Sequence, residues 1–292
     1  MNTSEVIVQV LINGIFIGAV YGLVAMGLSL IFGVMNIINF VHGDFLMVAM
    51  YLGYVLVTRF GGDPFIYLIP VMIVMLLIGI LVYRGIFDHL IHVPHTSQLL
   101  AGYALAIILE NGALMIFSSD YRSLTTSYSS TAFRFSQLSV SVPRLIAFIA
   151  CCLTATALVL IINRTRLGKS IRATAINPDG AEITGINTKR VNALAFGIGL
   201  TSVGVAGVSL LPTLYVYPTL GNTFTLLSFI VAVLGGLGNI WGTFFAGILI
   251  GIVSSATSQW IAGDLPMLIV FVMFVLTLMF RPSGLFGKKA AK

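Results

Sequence analysis

Charge is scarce in this sequence. Nine Asp and Glu and fifteen Lys and Arg make charged residues 8% of 292, against about 25% in an ordinary soluble domain. With 58% hydrophobic residues and a mean hydropathy of +1.06, the chain has no polar skin to turn toward water, which excludes a soluble globular fold. Cysteine is nearly absent: Cys151 and Cys152 are adjacent within an apolar run. Neighbours rarely bridge and no His or Cys stands at metal spacing from them, so they read as small packing residues. Alternating ten-residue segments of the β-barrel kind are missing. No clustered acid–base pair or metal set faces one surface, which makes a membrane enzyme the least favoured class. A phosphate-binding loop is missing too. Gly168-Lys169-Ser170 has the tail of one, but Asn163 stands where the first glycine belongs, and the segment follows an apolar span rather than a buried strand. The N-terminus lacks a basic region and its first apolar run is too long for a cleavable signal peptide.

What is present is a succession of roughly eight or nine apolar stretches near the 17–25 residues that cross a bilayer. The expected fold is therefore all-α: a polytopic helical integral membrane protein of about eight or nine transmembrane or re-entrant helices, one transmembrane domain over 1–292. The net charge of +6 is a topology signal, not a nucleic-acid footprint. Ten of the fifteen basic residues lie in a central loop (Arg164, Arg166, Lys169, Arg172, Lys189, Arg190) and the tail (Arg281, Lys288, Lys289, Lys292), and basic loops stay cytoplasmic.

The first span, about Val6 to Phe32, carries Gly14, Gly18 and Gly22 on one face, which predicts close approach of another helix. Residues 33–44 interrupt the apolar run with Asn36, Asn39, His42 and Asp44 around Gly43. Two readings stay open, an interfacial turn or a backbone break at membrane depth lining a cavity. Spans follow at about 45–57, 65–83 and 99–117. Between the last two, His89, His92 and His95 stand three apart, but Pro94 intervenes and no metal site is expected. Glu110 lies inside a span, a functional-site pointer by default. Asn111 beside it offers a hydrogen-bond partner, and with that structural role a Gln at 110 is expected to be tolerated. The Ser/Thr-rich segment 118–142 is expected on the extracytoplasmic side. Further spans are read at about 143–162, 191–211, 243–261 and 266–280. The short run 226–242 dissolves into Gly235, Gly236 and Gly238 before Asn239. It pairs loosely with the first break as Gly33…Asn36…Gly43 against Gly236…Asn239…Gly242, and interrupted segments in matching halves point to a transport site. Four spans between loop and tail put both on one side, and counting back puts the N-terminus outside.

The central loop, 163–190, holds a helix of its own. Asn177 is a good N-cap, Pro178 suits the first helical position, Asp179 places a carboxylate on the positive end, and Gly185 supplies the stop. A helix over about 178–184 on the inner face suggests a docking surface.

Asp179-Gly180-Ala181-Glu182-Ile183-Thr184-Gly185 resembles the E-A-A-x-x-x-G loop of ABC-importer permeases, though the I-x-L-P continuation after Arg190 is absent. The surrounding Gly168, Lys169, Arg172, Ala173, Ala181, Gly185 and Ile186 are similar to the same loop in LivH-type branched-chain amino acid permeases. So is the distant N-x-x-N-F-x-H-G-D-F motif of Asn36, Asn39, Phe40, His42, Gly43, Asp44 and Phe45, and so is the Gly-rich stretch 223–252. The resemblance implies a non-enzymatic permease subunit without cofactors in the bacterial inner membrane. Its expected partners are the lipid bilayer, a second homologous permease, two ATPase subunits and an extracytoplasmic substrate-binding protein. It also implies that Asn177, Pro178, Asp179, Ala181, Glu182 and Gly185 form the coupling surface. A rival is an ion- or proton-coupled secondary transporter using Glu110, His42 or Asp44; a channel is a further option. ATPase and binding-protein genes beside this one would separate these classes. Urea, amides and other amino acids stay open as cargo, as does pairing with a different chain or a second copy.

Overall fold

The computed structural model describes residues 3–91, 93–129, 131–135, 138–261 and 265–287. His92 and the tail residues Lys288, Lys289 and Lys292, which entered the metal and topology readings, lie outside them. The elements are α1 (Thr3–Met35), α2 (His42–Phe60), a 3-10 turn (Pro64–Tyr67), α3 (Leu68–Val82), a π-helical stretch (Tyr83–Phe87), α4 (Asp88–Leu90), α5 (His95–Phe117), the antiparallel hairpin β1 (Ala132–Phe135) and β2 (Leu138–Ser141), α6 (Val142–Arg164), α7 (Arg166–Ile176), α8 (Pro178–Ile183), α9 (Thr188–Leu210), α10 (Leu220–Gly235), α11 (Ile240–Trp260) and α12 (Leu265–Phe280). Among the described residues, seven helices are long and apolar enough to cross a membrane, and α10 and α12 are shorter apolar helices. The all-α polytopic expectation holds.

The centre of the bundle is α1 with α9 and α11 against it. Gly14, Gly18 and Gly22 abut Ile252, Ile248 and Phe244 in turn, so α1 and α11 run antiparallel with backbones touching. A Cβ at Gly18 would stand 2.6 Å from Ile248 Cα, and one at Gly22 would stand 2.7 Å from Phe244 O. The α3–α9 contact repeats this logic at Gly79, where a Cβ would stand 2.6 Å from Gly197 Cα. Without a hydrophobic drive between helices in lipid, such small-residue seams supply the packing contacts.

Four local readings need correction. His42, Gly43 and Asp44 belong to the first turn of α2 rather than to the break, which is confined to residues 36–41. The polar 84–91 segment stays helical to Leu90 through its π stretch, because Tyr83 and Phe87 are buried against Phe196 and hold the helix in place. Helix α10 starts at Leu220, six residues before the apolar run read from 226. The segment after α5 contains a hairpin, whose Ser139 exchanges two hydrogen bonds with the Gln9 side chain, 2.8 and 2.9 Å. Beside it the Tyr128 hydroxyl donates to Asp63; burial first, and that carboxylate second, push the phenol above its ordinary value.

Those contacts define the two ends of the bundle. The start of α1 lies with the hairpin at one end. The 163–190 loop lies at the other, where Asn163 and Arg172 line a cavity of about 260 Å³ with Gly238 and Asn239. Residues 281–287 are at the same end, since Gly236 packs on Gly287.

Candidate functional site

The first break sits where α1 ends. Asn36 adopts φ 53°, a left-handed conformation that Asn tolerates better than most residues. The chain then climbs back along α1. His42 Nε2 donates to the carbonyl of Val24 at 2.9 Å. Val24 is eleven residues short of Met35, about 16 Å at the helical rise. Helix α2 therefore begins deep in the bundle rather than at its end, which favours the break-at-depth reading over a plain interfacial turn.

The start of α2 presses against the start of α10. The Gly43 amide donates to Thr225 Oγ1 at 2.9 Å, and any side chain at Gly221 would collide with Asp44. Asn39, His42 and Asp44 are almost wholly buried. Both amide atoms of Asn39, Nδ1 of His42 and both carboxylate oxygens of Asp44 have no hydrogen-bond partner. Glu110 reaches the start of α10 from α5. Its hydrogen-bond partner is Asn222 of α10, whose Nδ2 lies 3.4 Å from Oε2. Asn111 is not that partner, since its Nδ2 donates back to Ile107 O at 2.8 Å. Gly221, Asn222 and Thr225 complete this cluster and are not singled out by sequence. An Asn near the start of an apolar helix is a signal in principle, but the apolar run is read only from 226 and leaves it outside.

The second break does not join that cluster. Gly235, Gly236, Gly238 and Asn239 lie at the loop end of the bundle. Gly236 and Gly238 have φ of 89° and 83°. Asn239 caps α11 by accepting from Gly242 N at 3.1 Å, and its Nδ2 donates to Phe286 O at 2.7 Å. The second break does touch the end of α1: Gly238 N donates to Ser29 Oγ at 3.0 Å, and a Cβ at Gly33 would stand 2.8 Å from Gly238 Cα. With its polar atoms used, Asn239 is a fastener. Asn239→Ala is expected to cost about 1 kcal/mol, read as a lower Tm of the purified protein in detergent.

The 163–190 loop is two helices rather than one. Helix α7 was not foreseen, because a basic sequence masks its single apolar face. Thr165 Oγ1 caps it by accepting from Gly168 N at 3.1 Å, Ile171 and Thr174 are buried, and the Arg172 guanidinium donates to the Ile162 carbonyl at the end of α6. A cation there satisfies a free carbonyl of the last helical turn. Helix α8 follows as the sequence predicts. Asn177 Oδ1 accepts from Gly180 N at 3.0 Å, with Pro178 at the first position and Asp179 in the first turn. At the far end Gly185 has φ 87°. Its N–H donates to Glu182 O at 2.9 Å and that of Ile186 to Ala181 O at 3.0 Å, the paired bonds of a Schellman stop. Glu182 also accepts from Thr188 Oγ1 at the start of α9, and Lys189 pairs with Asp88 at 3.6 Å. The loop is thus braced to α6, α9 and the end of the third span.

One docking expectation fails here. Ala181 is 4% exposed and faces the chain's own interior, so it offers no surface for insertion into a partner. What the loop presents instead is Ile183, 88% exposed, and Ile176, 86% exposed, beside Asp179 and Glu182. Gly185 has open space around it, so Gly185→Val would strain only the backbone, by roughly 1 kcal/mol or more. The expected result is faster protease cleavage within 177–187 with an unchanged Tm for the bundle.

The comparisons agree with this architecture. The family described as branched-chain amino acid transport system, permease component, matches residues 10–278. The high-affinity branched-chain amino acid transport system permease protein BraD of Pseudomonas aeruginosa is 29% identical over 299 residues, covering 96% of this chain and 95% of its own. LivH of Escherichia coli K12 is 29% identical over 300 residues with the same coverage, and a probable LivH of Methanocaldococcus jannaschii is 26% identical over 278 residues, 91% and 88% covered. No solved structure matches. Since the match takes in nearly the whole bundle, from within α1 to within α12, the chain belongs to the family of branched-chain amino acid transport system permease components.

Proposed function

We propose that this chain is the membrane-spanning permease subunit of an ABC importer for branched-chain or related amino acids in a bacterial inner membrane. It pairs with a second, homologous permease. Two separate ATPase subunits dock on α8 and supply the energy, and a substrate-binding protein delivers cargo at the hairpin end. The basic loop and the tail are cytoplasmic, as the positive-inside rule implies, and the N-terminus is outside.

The observation that carries this reading is the doubly capped α8, which presents Ile183 to solvent from the charged end of a transport-permease bundle. Ile183 and Ile176 give the loop two exposed isoleucines on braced helices that a partner could bury. Movement imposed there reaches both breaks through a short path. Ile171 and Arg172 of α7 line the same cavity as Ser29, Gly33 and Gly238, so a push on the loop bears on the ends of α1 and α10. The start of α10 in turn holds α2 at Gly43. The proposed cycle is alternating access driven from the loop, with no covalent chemistry in this chain. His42 is a poor relay for the ion-coupled alternative: one nitrogen is committed to Val24 and it lies sealed from solvent.

The test is uptake of labelled leucine into proteoliposomes. The purified chain alone is expected to accumulate none, and the complex with ATPases, second permease and binding protein to accumulate it only with ATP. Uphill uptake by the chain alone would replace the importer reading with the secondary carrier.

A further inference from the structure

Helix α5 is the least embedded of the long polar-bearing helices. It packs mainly along α2, and Tyr103, Ile107, Ile108 and Met115 are exposed. Apolar side chains there would suit lipid, but polar ones interrupt them. Glu110 is only partly buried, and Asn111 and Asn222 are exposed. Glu110 lies seven residues before the end of α5 at Phe117, about 10 Å inside the helix terminus. Carboxylates and amides at membrane depth face a bundle interior or a water-filled cavity, not hydrocarbon. This face is therefore covered by something wet or polar in the working protein.

A second observation points to what passes there. Asp44 packs on Gly221, the neighbour in sequence of the Asn222 that Glu110 contacts; it is 1% exposed, with neither carboxylate oxygen hydrogen-bonded. No basic side chain pairs with either carboxylate among the described residues. Two acidic groups close together and without a cation form a site that lacks its counter-charge. A zwitterionic amino acid carries one.

We infer that the α5–α10 face around Glu110 and Asn222 is the wall of the translocation path, turned toward the second permease, and that Glu110, with Asp44 behind it, takes the ammonium group of the amino acid in transit. The inference rests on the importer reading and adds the place and the contact. It reverses the sequence-based expectation that Gln is tolerated at 110. An amide keeps the Asn222 contact but gives up the charge that an ammonium needs.

The experiment uses the assembled, ATP-driven transporter in proteoliposomes with labelled leucine and its binding protein. Glu110→Gln is expected to lower leucine uptake about tenfold or more, the loss of one charge-assisted hydrogen bond, and Glu110→Asp to recover part of it. Co-purification of the ATPases with Glu110→Gln is expected to match wild type, because the 163–190 loop is untouched. In parallel, Glu110→Cys in the assembled complex is expected to react with a membrane-impermeant thiol reagent and to be protected by leucine. Wild-type uptake with Glu110→Gln, or no labelling of the cysteine, overturns the inference while leaving the importer reading intact. Arg144 lines a separate cavity of about 570 Å³ with Asn13, Tyr21 and Ser255. Loss of uptake in Arg144→Gln with Glu110→Gln unaffected would move the path there and overturn the inference as well. A wild-type complex that consumes ATP but imports no leucine sinks both.

Discussion

Ile183→Asp is expected to separate the permease from its ATPases without unfolding it. Ile183 is the last residue of α8 and is 88% exposed, so its side chain contributes almost nothing to the fold of this chain. Burying an isoleucine against a partner is worth about 1.5–3 kcal/mol, and placing a carboxylate in the same pocket adds an unpaired-charge penalty. Together these correspond to a loss of affinity of about thirtyfold or more. The measurement is co-purification of ATPase with permease across a titration, alongside substrate-stimulated ATP hydrolysis. The bundle's Tm is expected to be unchanged, which sets this variant apart from Ala181→Trp. Ala181 points inward, so a large ring there would break the loop itself and say nothing about docking. Normal assembly and normal hydrolysis in Ile183→Asp would make α8 a solvated turn and remove it from the mechanism.

Gly18→Leu is expected to prevent the bundle from forming at all. Leucine is the more hydrophobic residue and helix propensity favours it over glycine by up to about 1 kcal/mol, so a simple transfer argument predicts stabilisation in a membrane helix. Geometry reverses the sign. A Cβ at Gly18 would stand 2.6 Å from Ile248 Cα and 2.8 Å from Gly247 O. Both are backbone atoms that no rotamer change moves. The two helices must separate, and the neighbouring seams at Gly14 and Gly22 open with them. Overpacking typically costs 1–3 kcal/mol, and here the tightest helix pair of the fold loses its contacts along three turns. Even Gly18→Ala is expected to lower the Tm, and Gly18→Leu to abolish recovery of monodisperse protein in detergent. A leucine variant that purifies with wild-type yield and Tm would show that the α1–α11 seam is not what holds the bundle.

Residues that act through their own neighbours are legible in the sequence. The spans follow from apolar length alone. The α8 helix follows from Asn177, Pro178, Asp179 and Gly185, because a cap and a stop are local interactions within eight or nine residues. The glycine seam of α1 is visible as a face, since i, i+4 and i+8 lie above one another on any helix. Composition and spacing determined that this is a polytopic helical membrane protein with a charged, structured loop.

Tertiary packing decided the rest, and in each case the deciding contact is far away in sequence. The partner of the glycine face is α11, more than two hundred residues on, and nothing in Gly14, Gly18 or Gly22 names it. His42 is drawn into a helix start deep in the bundle by a carbonyl of α1, although its own neighbours read equally as an interfacial turn or a break at depth. Glu110 finds Asn222 rather than Asn111, because on a helix adjacent side chains point a hundred degrees apart while a neighbouring helix can stand directly opposite. Ala181 and Ile183 are both apolar residues of the loop. Only the docking of α8 on α7 and α9 turns the first inward and leaves the second facing out. A one-dimensional pattern carries the periodicity of each helix, but the rotation of each helix about its axis is set by what packs against it.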